Sequence, residues 1–272
     1  MALWDDKGVV VTGAARGIGR AIATRLHAEG ARLVLADVLE EPLAETAASL
    51  NAVAVAGDCA SEAGAARLVD AARAELGTID VWVGNAGVLR GLDLDGTDEA
   101  DWALSWDVNV MAHVRAARLL LPDWLERGEG RYVVTASAAG LLTMLGAPAY
   151  SVTKHATESF AEWLAATYGH RGVKVHAICP QGVRTDMYDQ PGSTVLADIV
   201  GHDGALSPDD VADALVNAVA AEQFLVLPHE EVGGYFAFRA NQTDKWLAGM
   251  QTLQARVDDA SATIKNPEQG AH

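Results

Sequence analysis

The chain has almost no means of cross-linking itself. It holds 2 cysteines in 272 residues, Cys59 and Cys179, far apart and without paired spacing. That excludes a disulfide framework, a cysteine-pair zinc site and a redox dithiol, and it fits a reducing compartment. Basic residues are also scarce. Lys and Arg number 20 against 37 Asp and Glu, a formal charge of -17, so phosphate backbones and anionic bilayers are repelled over most of the surface. Neither nucleic acid nor membrane is an expected partner. No apolar run reaches the about 18 residues of a membrane span, and Met1 to Lys7 shows no basic stretch leading into an apolar core. A cytoplasmic protein is expected. The histidines are scattered, and neither His155 nor His202-Asp203 has ligand spacing, so no metal is expected. Asn241-Gln-Thr243 fits a glycosylation acceptor, which has no meaning in a cytoplasm.

With half its residues apolar and 21% charged, the chain is too apolar for disorder and long enough for a large core. Short apolar runs alternate with stretches of helical period. The runs are 8–11, 32–36, 52–56, 79–83, 131–135, 173–178 and 224–227, read as seven buried strands. Helices are predicted over 18–29, 40–50, 62–76, 99–126, 149–169 and 208–221. This order implies an α/β fold: a doubly wound parallel seven-stranded sheet in a single domain. Residues 1–228 form the expected dinucleotide-binding and catalytic domain, with a substrate loop at 183–206. Residues 229–272 form a C-terminal extension.

Thr12-Gly-Ala-Ala-Arg-Gly-Ile-Gly19 follows the first strand and opens the first helix. Glycines there let backbone amides and a helix N-terminus approach a pyrophosphate. Asp37 ends the second strand, where a carboxylate accepts from ribose hydroxyls and repels a 2′-phosphate, which argues for NAD over NADP. Arg16 pulls the other way, since a guanidinium pairs well with phosphate. Further along stand Asn109, Ser137, Tyr150 and Lys154. Tyr150 and Lys154, four apart, project from one helix face.

In this order the motifs resemble the short-chain dehydrogenase/reductase family over residues 7 to about 228, and the resemblance implies a Rossmann fold. The signposts are Thr12 to Gly19, Asp58, Asn85-Ala-Gly87, Asn109, Ser137, Tyr150 with Lys154, and Pro180 to Thr185. The resemblance implies a dinucleotide site of Gly13, Arg16, Gly17, Ile18, Gly19 and Asp37. It adds Asp58 with Cys59 at the adenine, and Asn85, Ala86 and Gly87 on the adenosine side. Lys154 then holds the nicotinamide ribose beside Tyr150, and Pro180, Gly182, Val183 and Thr185 hold the carboxamide. There are two departures: Gln181 stands where the family usually has glycine, and Gly84 replaces a frequent asparagine, a change expected to weaken one sheet contact at most.

Oxidising a secondary alcohol needs a base for the hydroxyl proton and an acceptor for the hydride. Tyr150 is the expected base, its phenol made more acidic by the Lys154 ammonium. Ser137 resembles the residue that bonds the substrate oxygen, and Asn109 the one that holds a relay water beside the lysine. Met187, Tyr188, Val195, Leu196, Ile199 and Val200 suit an apolar lid, and Leu141, Leu142, Met144 and Leu145 suit a second wall, so the expected substrate is a moderately large apolar alcohol or ketone. The alternatives are an NADPH-dependent reductase of a β-ketoacyl or steroid-like substrate and a non-catalytic NAD-binding sensor or scaffold. Trp246, Met250, Leu253 and Val257 define an apolar helical stripe that packs on its own subunit or on a neighbour. The resemblance implies a homotetramer.

Overall fold

The computed structural model describes residues 3–187 and 204–265. The expected lid residues Tyr188, Val195, Leu196, Ile199 and Val200 lie outside them. Seven parallel strands form one sheet: β1 (Gly8–Thr12), β2 (Arg32–Asp37), β3 (Val53–Ala56), β4 (Val81–Gly84), β5 (Gly130–Thr135), β6 (Val173–Ile178) and β7 (Leu225–Val226). Their order is β3-β2-β1-β4-β5-β6-β7. The continuous apolar runs of β1 and β4 are buried at every position, as a strand covered on both faces requires. β3 departs from the expected burial: as an edge strand it alternates half-buried and exposed residues. β7 is shorter than its apolar run.

The helices are α1 (Gly17–Ala28), α2 (Glu40–Ser49), α3 (Glu62–Leu76), α4 (Glu99–Trp106), α5 (Ala112–Arg127), α6 (Ala138–Leu141), α7 (Pro148–Tyr168), α8 (Pro208–Ala220), α9 (Glu231–Asn241) and α10 (Thr243–Lys265). The side chains of Ser61, Asp98 and Ser207 accept amide hydrogens at the starts of α3, α4 and α8, satisfying donors that a helix leaves unpaired. Gly128 ends α5 in the left-handed conformation, where glycine avoids a Cβ clash. Because strand side chains alternate, Val9 and Val11 of β1 pack with Ile22, Leu26, Leu43 and Leu215 on one face. Val10 meets Leu68, Leu120, Trp124 and Leu164 on the other. Helices therefore cover both faces of the sheet.

Two features of this framework shape the site. First, β1 lies between β2 and β4, so the strand order reverses there and a crevice opens at the carboxyl ends. Second, the expected helix 99–126 is broken by a π-helical turn, Asp107–Met111, between α4 and α5. A π turn holds one extra residue, which rotates the helix beyond it; such turns concentrate at functional sites. Asn109, fully buried, lies within it.

Gly84 has a more specific role than the sequence conveyed. A Cβ there would lie 2.5 Å from Nδ1 of His113, so the missing side chain is the space the imidazole occupies. His113 is 2% exposed, its Nε2 has no partner among the described residues, and burial holds its pKa down to about 3. Gly84→Ala should overpack this contact and destabilise the fold by about 1–3 kcal/mol. In denaturant unfolding, Gly84→Ala with His113→Ala should cost less than the sum of the single changes. Strict additivity would mean that the two do not compete for space.

Candidate active site

The glycine loop is set by close approach. Gly13 has φ 64° and Gly17 φ 55°, in the region that favours glycine. A Cβ on Gly13 would come within 2.9 Å of Ala86 Cα, and one on Gly19 within 2.1 Å of the Gly13 carbonyl. The amides of Asn85 and Ala86 donate to the Thr12 hydroxyl at 3.0 and 3.1 Å. Asn85 Nδ2 donates to the carbonyls of Thr12 and Gly13, both at 3.1 Å, and Asn85 Oδ1 accepts from the Thr135 hydroxyl at 3.0 Å. Asn85 therefore ties together the ends of β1, β4 and β5. At the start of α1, Arg16 provides no side-chain cap. The first-turn amides, Gly17, Ile18 and Gly19 among them, and the positive end of the helix dipole are thus free of a capping side chain. This cradle fits a pyrophosphate.

Asp37 is 8% exposed. Its carboxylate accepts from the amides of Ala15 and Leu39, both at 3.0 Å, which holds it against the glycine loop. Asp58 turns inward on its own chain, accepting from the amide of Ala60 at 2.8 Å and from that of Ser61. Bonds from Ser61 hold its carboxyl below the ordinary value. Burial pushes the Cys59 thiol up to about 11 and that of Cys179 up to about 12, so both free cysteines stay protonated.

Ser137 caps α6, its hydroxyl accepting from the Ala139 amide at 3.1 Å. Tyr150 and Lys154 lie in the first two turns of α7. Lys154 is 3% exposed. Its Nζ donates to the Thr135 carbonyl at 2.7 Å and stands 5.6 Å from the centre of the Tyr150 ring. Burial lowers Lys154 to about 8. It also pushes the Tyr150 phenol above its usual value, with the Ser137 hydroxyl pulling back. The expectation that the ammonium makes the phenol more acidic is not met here, because desolvation outweighs a charge directed at a carbonyl. The Asn109 side chain clamps Val88, accepting from its amide at 2.8 Å and donating to its carbonyl at 2.9 Å, and also donates to the Thr153 hydroxyl at 3.0 Å. The Asn109 carbonyl accepts from the Thr157 hydroxyl at 2.6 Å. A Cβ on Gly87 would lie 3.3 Å from both Asn109 Oδ1 and Lys154 Nζ, so Gly87 lets these two groups flank it.

Pro180 to Thr185 return to the same crevice. The Pro180 carbonyl accepts from the Ala138 amide at 2.8 Å, and a Cβ on Gly17 would meet Thr185 Cγ2 at 3.2 Å. Val183 is bridged to Leu206 through Gly182 and Arg184. Arg16 forms an ion pair with Asp186, joining the two loops. Of the expected second wall, Leu141 is a core residue at 1% exposure. Met144 and Leu145, with Leu94, Pro148 and Val152, line an open depression of about 540 Å³. In the extension, Arg239 bonds the Leu141 carbonyl and stands 5.4 Å from the ring of Trp246. Along the expected apolar stripe, Trp246, Met250, Leu253 and Val257 are all half-buried. Sequence reasoning missed Asp186, His113 and Thr157. Only His113 left a signal, the glycine in place of asparagine at position 84.

A model of the short chain dehydrogenase family matches residues 7–195. The chain is 34% identical over 247 residues to 1-deoxy-11-beta-hydroxypentalenate dehydrogenase of Streptomyces avermitilis, covering 88% of this chain and 90% of that one. It is 36% identical over 187 residues to meso-2,3-butanediol dehydrogenase of Serratia marcescens, covering 68% and 74%. A crystal structure of a short chain dehydrogenase/reductase from Burkholderia phymatum in complex with NAD superposes with a TM-score of 0.81 at 32% identity, over 90% of this chain and 96% of the other. The doubly wound sheet, with its loops converging at the strand reversal, is thus one that known enzymes share, and the chain belongs to the short-chain dehydrogenase/reductase family of oxidoreductases.

Proposed function

We propose that this protein is an NAD-dependent dehydrogenase that reversibly oxidises a moderately large, apolar secondary alcohol to its ketone. The observation that carries this reading is the Ser137 hydroxyl beside the Tyr150 phenol, with Lys154 behind the ring, at the mouth of a cradle built for a dinucleotide. NAD, when bound, supplies the hydride acceptor. Gly13, Gly17, Ile18 and Gly19 receive its pyrophosphate, Asp37 its adenosine ribose, and Val183 and Thr185 its carboxamide. Ser137 donates to the substrate oxygen, Tyr150 takes the hydroxyl proton, and Lys154 fixes the ribose behind the phenol ring. Asn109 holds the α4 to α5 turn against Val88 and Thr153, which keeps Lys154 in register.

Selection of NAD over NADP rests on two carboxylates. Asp37 occupies the place a 2′-phosphate needs, and Asp186 pairs with Arg16, the one guanidinium of the glycine loop. The exposed Trp106, Val152 and Trp163 on α4 and α7 support association into a homotetramer through these helices.

The first test is a plate assay following nicotinamide absorbance, with NAD or NADP against aliphatic, cyclic, aromatic and steroid alcohols. Tyr150→Phe should lower kcat by about 100-fold or more and leave NADH binding within about twofold. A variant with the wild-type rate would displace Tyr150 as the base. Because burial keeps the phenol protonated at neutral pH and Lys154 loses its charge near about 8, kcat/KM for oxidation should rise about tenfold per pH unit from about pH 6 to 8 while that for reduction stays flat. A flat oxidation profile would remove this proton from the rate-determining step. Asp37→Asn combined with Asp186→Asn should shift the ratio of NADPH to NADH affinity toward NADPH by about tenfold or more. An unchanged ratio in fluorescence titration would take both carboxylates out of cofactor selection.

A further inference from the structure

His229 opens the C-terminal extension and is 6% exposed. Its imidazole joins two segments remote in sequence: Nδ1 lies 3.2 Å from the Gln181 amide nitrogen and Nε2 3.1 Å from the Gly204 carbonyl oxygen. An amide N–H can only donate and a carbonyl can only accept, so Nδ1 accepts and Nε2 donates, and one tautomer satisfies both contacts. The Gln181 N–H belongs to the same peptide plane as the Pro180 carbonyl, which accepts from the Ala138 amide at 2.8 Å. That plane is therefore pinned on both edges, once by the residue after Ser137 and once by His229. The adjoining turn is held as well. Leu206 donates to the Gly182 carbonyl at 3.0 Å and accepts from the Arg184 amide at 2.9 Å, and Gly204, tied to His229, lies two residues before Leu206.

We propose that His229 is a positioning residue for the nicotinamide half of the cofactor. It fixes the Pro180–Gln181 peptide, and with it the path of Gly182 to Thr185, without touching the cofactor itself. This rests on the NAD reading above. Gly182 follows this plane directly, and anchoring the plane with two hydrogen bonds narrows the path that a glycine's backbone freedom would leave open.

The test is titration of the full chain with NADH and with ADP-ribose, which lacks the nicotinamide, followed by protein fluorescence. His229→Leu removes both contacts. It should weaken NADH about tenfold, the loss expected for one buried hydrogen bond with its partner left unsatisfied, and keep ADP-ribose within about twofold. His229→Asn keeps an acceptor near the Nδ1 position and should recover most of the NADH affinity. Equal weakening of both ligands in His229→Leu would make the residue a general support of the fold and overturn the proposal, as would unchanged NADH binding. Should His229→Leu not fold, His229→Gln carries the test. It reaches Gly204 with a donor but leaves the Gln181 amide without an acceptor, so it must lose NADH affinity selectively. Parity of the Gln and Asn variants would overturn the proposal. Failure of the wild-type chain to bind either ligand would instead overturn the NAD reading itself.

Discussion

The absence of side chains where the glycine loop crosses the end of β4 is the constraint on which the site depends. Gly13 and Gly19 bring two backbone segments to separations that no Cβ permits, and this contact places the start of α1 over the crevice. The Thr12 hydroxyl and the Asn85 amide fill the remaining gap with directed hydrogen bonds rather than apolar packing. Such bonds are directional, so they define the loop's path more narrowly than a hydrophobic contact does. Asp37, bound to the Ala15 amide, extends the same network to the tip of β2. The cradle is held from three strands before any ligand reaches it.

Burial governs the chemistry as strongly as position does. Lys154 is removed from water and lowered to about 8, and Tyr150 is raised by the same cause. Both groups are biased toward their neutral forms, so the charges the reaction uses must be stabilised by the molecules that enter the crevice. A cofactor and substrate that complete the site therefore also complete its electrostatics. His113 beneath Gly84 obeys the same rule: with no partner for Nε2 among the described residues, it stays an uncharged ring.

Much of this was legible in the sequence because the signals were local. Continuous apolar runs marked β1 and β4, glycines at fixed spacing marked the loop, and four-residue spacing put Tyr150 and Lys154 on one face of α7. The features that could not be read depended on distance along the chain. The π turn around Asn109 arises from packing against Val88 and Thr153, since nothing in Asp107–Met111 itself breaks a helix. The Arg16 pair with Asp186 joins residues 170 positions apart, and His229 meets Gln181 48 positions away. Leu141 looked like a pocket wall but is a core residue, because the turn of α6 points it beneath the sheet's helices. The edge position of β3 was equally hidden, since strand order is a property of the assembled sheet.

The knot of Thr12, Asn85 and Thr135 also bears on how the molecule is made. Its members are separated by 73 and 50 positions, and pairing of β1 with β4 must bridge the whole of α1, β2, α2, β3 and α3. Contacts of such separation form late, because loop-closure entropy opposes them until much of the chain is in place. On a ribosome, β1 and its glycine loop emerge well before either tethering partner. A segment synthesised before its partners is thus among the last to acquire its working shape, and the cradle waits for β5.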